Sequence, residues 1–242
     1  VVQISRGGAR LTEFGADHGL AERDLSLPSD HGLILEEADN GGHADFPRPQ
    51  GSTGDRLERE RFCRVVQDEV VRIVPRDVPV ILCVSTDLEP AYRAVNTHPA
   101  LLEPAIDAHP DSLGDDDLEE RARSILDRHE EDVLAAWRER FGSLEAQGLA
   151  TTSLDDVAVA ASNAAIDELL FDLESETEGT IDDRGRLERA ETPGPDSTVL
   201  VDEIAARVLR TGGTVRAARG DDMIAGSPVA ATLRFPLDQM AT

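Results

Sequence analysis

The stretch VPVILCVSTDLEPAYRAV, Val78–Val95, decides the fold class. Its first part, Val78–Ser85, is a continuous apolar run lying between Pro75 and Asp87, the pattern of a strand covered on both faces. Just upstream, Phe62, Val66, Glu69, Val70 and Ile73 recur at steps of three and four. Arg56–Val74 therefore reads as a helix with one apolar stripe, ended by Pro75. Downstream, Leu88–His98 reads as a short helix and Leu101–Asp107 as strand or extended chain. At the other end, Val1–Arg6 and Ala9–Phe14 are β-rich runs joined by Gly7-Gly8, a hairpin signal. The order strand, strand, loop, helix, strand, helix, strand predicts an α/β domain with a mixed sheet.

The chain has 242 residues, enough for two domains. The turn-forming segment His109–Gly114 marks the boundary, giving domains over 1–110 and 114–242. Asp115–Asp117 place negative charge at the start of a long helix, where the macrodipole favours it. That helix runs to Gln147 with Leu118, Ala122, Ile125, His129, Val133 and Ala136 on one stripe, and Gly148 stops it. Ser153 is placed to cap a second helix over Leu154–Asn163, and Ile166–Leu173 reads as a strand. Within the acidic stretch Glu174–Thr198, Gly179–Ile181 and Arg186–Arg189 can pair across Asp182–Gly185 as a small exposed hairpin. A helix over Val201–Thr211 and strands at Thr214–Ala218 and Val229–Arg234 complete an αβα sandwich.

Hydrophobic residues make up 40% of the chain but aromatics only 3%, so the core must be aliphatic. Acidic residues number 49 against 24 basic ones, all of them arginine, for a net charge of −25. Such a field repels phosphate backbones, so any RNA contact has to be local and built on arginine. No apolar run approaches the roughly 20 residues of a membrane span, and no basic-apolar leader opens the chain. Cys63 and Cys83 read as buried, reduced thiols. Together these features predict a cytoplasmic protein with no membrane contact. The first residue is Val rather than Met, which leaves open that a segment precedes it.

The absence of lysine excludes a Walker phosphate loop and Schiff-base chemistry. No Gly-x-Ser-x-Gly occurs, and His129-Glu130-Glu131 has Val133 where a zinc-protease helix needs its second ligand. Asp17-His18-Gly19 and Asp30-His31-Gly32 read as turns without a second ligand nearby. No catalytic residue, metal or small-molecule cofactor is expected. One place rises above this background. His31–Asp55 contains Gly32, Gly41, Gly42, Pro47, Pro49, Gly51 and Gly54, too many breakers for a regular element, and reads as a long loop. Arg48 lies in it, and Arg56, Arg59 and Arg64 follow on the next helix, the densest local arginine cluster in the chain. Guanidinium groups bind phosphate in bidentate fashion, so these four are RNA-contact candidates. The alternative is that Glu58, Glu60 and Asp68 pair with them on a solvated helix face.

PVILCVS, Pro79–Ser85, and AYRAVNTHPALLEPAI, Ala91–Ile106, resemble the strand, helix and strand that close the middle domain of the bacterial relatives of the archaeo-eukaryotic release factor and Pelota family. Among the bacterial subgroups they are most similar to the third. Val201–Ala205, Thr211–Val215 and Gly226–Phe235 resemble the family's last domain. The resemblance implies an RNase H-like domain followed by an L7Ae-like one, in a protein that acts in or beside the ribosomal A site. In release factors the middle-domain loop carries Gly-Gly-Gln; here it reads Gly41-Gly42-His43, with Gln50-Gly51 further on, so no glutamine stands in register. The expectation is a non-catalytic, translation-associated protein that binds the ribosome or its RNA through this loop and the arginines, in rescue, hibernation or release. The alternatives are a residual peptidyl-tRNA esterase acting through His43 or Gln50, and an adaptor whose C-terminal domain binds a protein partner. Glu174–Glu191 is the natural contact in the last case, unless that acidic segment is a disordered loop. The family's N-terminal domain has no counterpart in the sequence.

Overall fold

A computed structural model describes residues 1–6, 8–15, 19–28, 52–190, 192, 194 and 197–239, with side-chain surroundings in the first long helix from residue 56 onward. By packing, the chain divides into two units, Val1–Glu131 and Asp132–Thr242. The division falls inside a helix, Asp115–Glu145, rather than at the turn-forming segment His109–Gly114. That segment holds a single 3-10 turn, Pro110–Ser112, with Pro110 buried in the first unit.

The first unit is built on strands β1 (Val2–Ser5), β2 (Gly8–Glu13), β3 (Ala21–Arg23), β4 (Leu82–Val84) and β5 (Ile106–Asp107), in the order β3-β2-β1-β4-β5. β2 runs antiparallel to β1 and β3, whereas β1, β4 and β5 are parallel. This is the mixed sheet expected from the element order. Helix α1 (Ser52–Ile73) joins β3 to β4, and the short helix α2 (Glu89–Val95) joins β4 to β5. The parallel register Val2↔Leu82 and Ile4↔Val84 sets those four side chains on one face, against Phe62, Cys63, Val66 and Val70 of α1 and Tyr92 of α2, all buried. Val1, Ile81, Cys83 and Ile106 face the other way, against Leu118 and Ala122 at the start of α3 (Asp115–Glu145). The apolar run quoted above has no polar alternation because helices cover both faces of its strand. Each fully buried Val or Leu here is worth roughly 1.5–3 kcal/mol of transfer free energy before entropic costs.

Two details of α1 depart from the sequence pattern. The helix begins at Ser52, with Gly54 inside its first turn. Glycine's cost of about 1 kcal/mol applies to helix interiors, and Gly54 stands in the terminal turn. Glu69, which keeps step with the apolar stripe, is not a core residue: its carboxylate accepts the Ser26 N–H at 3.0 Å and pairs with Arg72 at 2.7 Å.

In the second unit β6 (Ala150–Thr151), β7 (Ile166–Asp172), β11 (Thr214–Ala218) and β12 (Val229–Leu233) form a sheet in the order β11-β7-β12-β6. One face packs against α4 (Leu154–Ser162) and α5 (Leu200–Arg210), with Val157, Ala161, Ile204 and Val208 meeting Ile166, Leu169, Val229 and Ala231. On the other face Leu170 and Ala230 meet Trp137 and Phe141 from the last turns of α3, whose rings lie 5.4 Å apart. The result is the expected αβα sandwich. Ser153 caps α4, its hydroxyl accepting the Asp156 N–H at 3.3 Å. Gly148, with φ +72°, follows the end of α3.

Among its described residues the acidic segment after β7 is ordered, and Gly179–Ile181 pairs with Leu187–Arg189 as the expected hairpin. Its described residues form a second, three-stranded sheet, β10-β8-β9, from β8 (Glu178–Ile181), β9 (Leu187–Arg189) and β10 (Thr198–Val199), while Glu191, Pro193, Pro195 and Asp196 lie outside the described residues. Arg207 of α5 ties this sheet down. Its guanidinium donates to Glu203 at 2.8 Å, Ser162 Oγ at 2.6 Å and the carbonyls of Ile181 and Asp182 at 2.8 and 2.9 Å. The β8–β9 turn is closed by Asp182, whose carboxylate accepts the N–H groups of Arg184 and Arg186.

Candidate nucleic-acid interface

α1 buries one side and exposes the other, so its arginines sort by position. Arg61 and Arg64 point outward and form no ion pair among the described residues. Arg56 is also largely exposed, but its Nε donates to Glu60 at 2.7 Å one turn on. Arg59 is half-buried and approaches Asp87, just beyond β4, at 3.9 Å. Of the three carboxylates expected to neutralise the cluster, only Glu60 does so among the described residues. Glu58 and Asp68 form no ion pair there, and the second partner is Asp87. Gly41, Gly42, His43, Arg48, Gln50 and Gly51 lie outside the described residues, as do both Asp-His pairs, Asp17-His18 and Asp30-His31.

Sequence reasoning passed over Arg61, which sits between the chosen arginines and is as exposed as Arg64. It also passed over Arg6 and Asp87. Arg6, at the end of β1, reaches Asp87 at 3.3 Å, and the Ser85 hydroxyl donates to the same carboxylate at 2.6 Å. Burial pushes the Asp87 carboxyl up, but the Ser85 hydroxyl and the guanidinium groups of Arg6 and Arg59 outweigh it and hold it below the usual range. Next to this group the Thr86 hydroxyl donates to Asp107 at 3.0 Å, and Arg10 and His109 flank Asp111 at 3.4 and 3.7 Å. A cleft of about 500 Å³ has Gln3, Ser5, Arg10 and Asp111 in its wall.

The remaining reactive side chains are held in structural roles. Cys63 and Cys83 are buried free thiols, pushed up by burial to about 12 and about 11 respectively, and so inert as nucleophiles at neutral pH. His98 is buried with its ring satisfied: Nε2 lies 3.1 Å from the Pro75 carbonyl, and Nδ1 accepts the Ala100 N–H at 3.3 Å. His129 is half-buried on α3. Among the described residues no group of His, Cys, Asp and Glu could hold a metal ion, and no helix is long and apolar enough to cross a membrane.

A mixed five-stranded sheet with helices on both faces, followed by an αβα sandwich, makes this a two-unit α/β protein. The sequence model of bacterial archaeo-eukaryotic release factor family 11 matches residues 1–132, and the chain belongs to that family. The narrower likeness to the third subgroup rests only on the residues quoted for it. Among solved structures, one of ribosome-bound archaeal Pelota and ABCE1 matches with 17% identity and a TM-score of 0.57, over 97% of this chain and 61% of that one. The structure of S. cerevisiae Dom34, a translation termination-like factor involved in RNA quality control pathways and interacting with Hbs1, matches with 13% identity and a TM-score of 0.55, over 100% of this chain and 64% of that one. At these identities the likeness is one of fold, and this chain spans less than two thirds of either matched chain. No curated protein matches the sequence.

Proposed function

We propose that this chain is a non-catalytic, translation-associated factor of the cytoplasm that binds the ribosome through RNA, in rescue, hibernation or a release-related step. Family membership across the first unit carries the reading. The outward arginines Arg61 and Arg64, unpaired among the described residues of a chain at −25, support it, since they supply the local positive contact that RNA binding requires. Co-sedimentation with ribosomes in sucrose gradients at low and moderate salt tests the proposal. The protein is expected in ribosomal fractions at low salt, and the triple variant Arg56→Ala, Arg59→Ala, Arg64→Ala is expected to leave them. Absence from those fractions under every condition, starvation included, overturns it. A peptidyl-tRNA release assay tests the non-catalytic part: ester cleavage that disappears with Gly42→Ala would make the protein an esterase.

A second reading follows from the order found in the acidic segment. Glu174, Glu176, Asp183 and Glu188 are exposed on or beside the three-stranded sheet of the second unit, interspersed with exposed Arg184, Arg186 and Arg189, and form a folded, charged surface that a protein partner would meet. Pull-down with Glu174, Glu176 and Glu188 changed to Arg should lose that partner, and unaltered capture counts against the surface.

A further inference from the structure

At the carboxyl ends of the parallel strands β1 and β4, side chains from three places in the sequence meet on one carboxylate. Arg6 follows β1, Arg59 projects from α1, and Ser85 follows β4; all three approach Asp87, at 3.3, 3.9 and 2.6 Å. The group is within reach of solvent, with the Arg6, Arg59 and Asp87 side chains 51%, 33% and 35% exposed. Open α/β sheets take their ligands beyond the carboxyl ends of the strands. Both guanidinium groups reach the same oxygen, Asp87 Oδ2, through one Nη2 each, a place that a non-bridging phosphodiester oxygen could take. Ion pairs this exposed are weak and salt-screened, so a polyanion offering several phosphates in a row competes well against one carboxylate.

We propose that Arg6 and Arg59 form a phosphodiester-binding site for RNA in which Asp87 occupies the ligand's place, so that an RNA phosphate must displace this internal ion pair to bind. The proposal rests on the reading of the first unit as an RNA-binding surface and adds to it a built-in competitor. It places a restraint on affinity at Asp87, complementing the repulsion spread over the whole acidic chain. It also makes Arg6, far from α1 in sequence, part of the same surface as Arg59.

The test is fluorescence anisotropy of a short fluorescein-labelled single-stranded RNA with the full chain and its variants, across a range of salt. Asp87→Asn should bind about three- to tenfold more tightly than the parent. Its log affinity should fall more steeply with log salt, by about 1–1.5 in slope, as two further guanidinium groups meet phosphate. Adding Arg59→Ala or Arg6→Ala to Asp87→Asn should cancel the gain. Asp68→Asn removes an equal charge from α1 without releasing an arginine and should change little. Ser85→Ala loosens Asp87 at constant charge and should give a smaller gain that Arg59→Ala removes, which keeps the test available if Asp87→Asn fails to fold. If Asp87→Asn and Ser85→Ala bind no better than Asp68→Asn while the parent binds through Arg56, Arg61 and Arg64, Asp87 does not compete with RNA and the RNA-binding reading stands. If neither the parent nor any of these variants binds RNA, both fall together.

Discussion

Gly185 and Gly148 both hold a positive φ, +83° and +72°, that side chains other than glycine adopt at a cost. Their surroundings differ. A Cβ on Gly185 would lie 2.5 Å from Val159 Cα and 2.6 Å from the Ala158 carbonyl oxygen, both backbone atoms of α4, whereas one on Gly148 would meet nothing within 4 Å. Gly148→Ala should therefore cost only the backbone term, about 1 kcal/mol. Gly185→Ala adds a clash that only displacement of the β8–β9 turn from α4 can relieve, for a total of about 2–4 kcal/mol. Trp137, the only tryptophan in the chain, lies in the same unit, so its emission during urea unfolding reads both variants directly. Equal losses would mean that the turn does not sit against α4. Arg207 makes a related case. Lysine at that position keeps the charge but cannot reach Ser162, Ile181 and Asp182 together, so Arg207→Lys should destabilise the unit by about 1–3 kcal/mol in the same assay.

The elements that could be read from sequence are those whose signal is local. The stripe Phe62, Val66, Val70 and the stop at Pro75 are visible because helical periodicity needs no tertiary information, and β4 is visible because burial on both faces removes alternation. The Ser153 cap is equally local: a hydroxyl placed one residue before an apolar-periodic run. Ser153→Ala should cost about 0.5–2 kcal/mol, and Ser153→Asp should recover it, by thermal unfolding of the full chain. What stayed hidden depends on distant partners. Within the acidic segment the β8–β9 hairpin could be read from its turn, but the third strand β10 and the anchoring by Arg207, which donates to the Ile181 and Asp182 carbonyls, could not. The same limit applies to the candidate site. Arg56, Arg59 and Arg64 could be chosen by their crowding in sequence, but Arg6 and Asp87 are brought to Arg59 only by the parallel pairing of β1 with β4.

At the scale of the molecule, the two units carry unlike titration behaviour. Cys63, Cys83 and Tyr92, all in the first unit, are buried acids raised above their ordinary values. Cys63 is pushed up to about 12 by burial first and then by the charges of Glu60 and Asp87, and Cys83 to about 11, chiefly by burial. Tyr92 is raised by burial first and then by Cys63, and its hydroxyl has no hydrogen-bond partner among the described residues. An unfolded thiol loses its proton near pH 8.5 and an unfolded tyrosine near pH 10, roughly as in free peptides. Below about pH 8.5 both states hold these protons and stability is undiminished. Above it the unfolded chain binds fewer protons than the folded one, so stability falls as pH rises, by at most about 1.4 kcal/mol per pH unit per group. Tyr92 is the only tyrosine and Trp137 the only tryptophan, one in each unit, so each unit carries its own optical reporter. In an alkaline titration the tyrosinate absorbance should therefore rise late and cooperatively, as the first unit opens, while Trp137 emission stays native over the same interval. Cys63→Ala should flatten the pH dependence of the first unit's stability between about pH 9 and 12 by close to one proton. A shallow tyrosinate titration centred near the free value, with the first unit still folded, would show Tyr92 in contact with water and remove the α1–α2 packing from which Arg59 is aimed at Asp87.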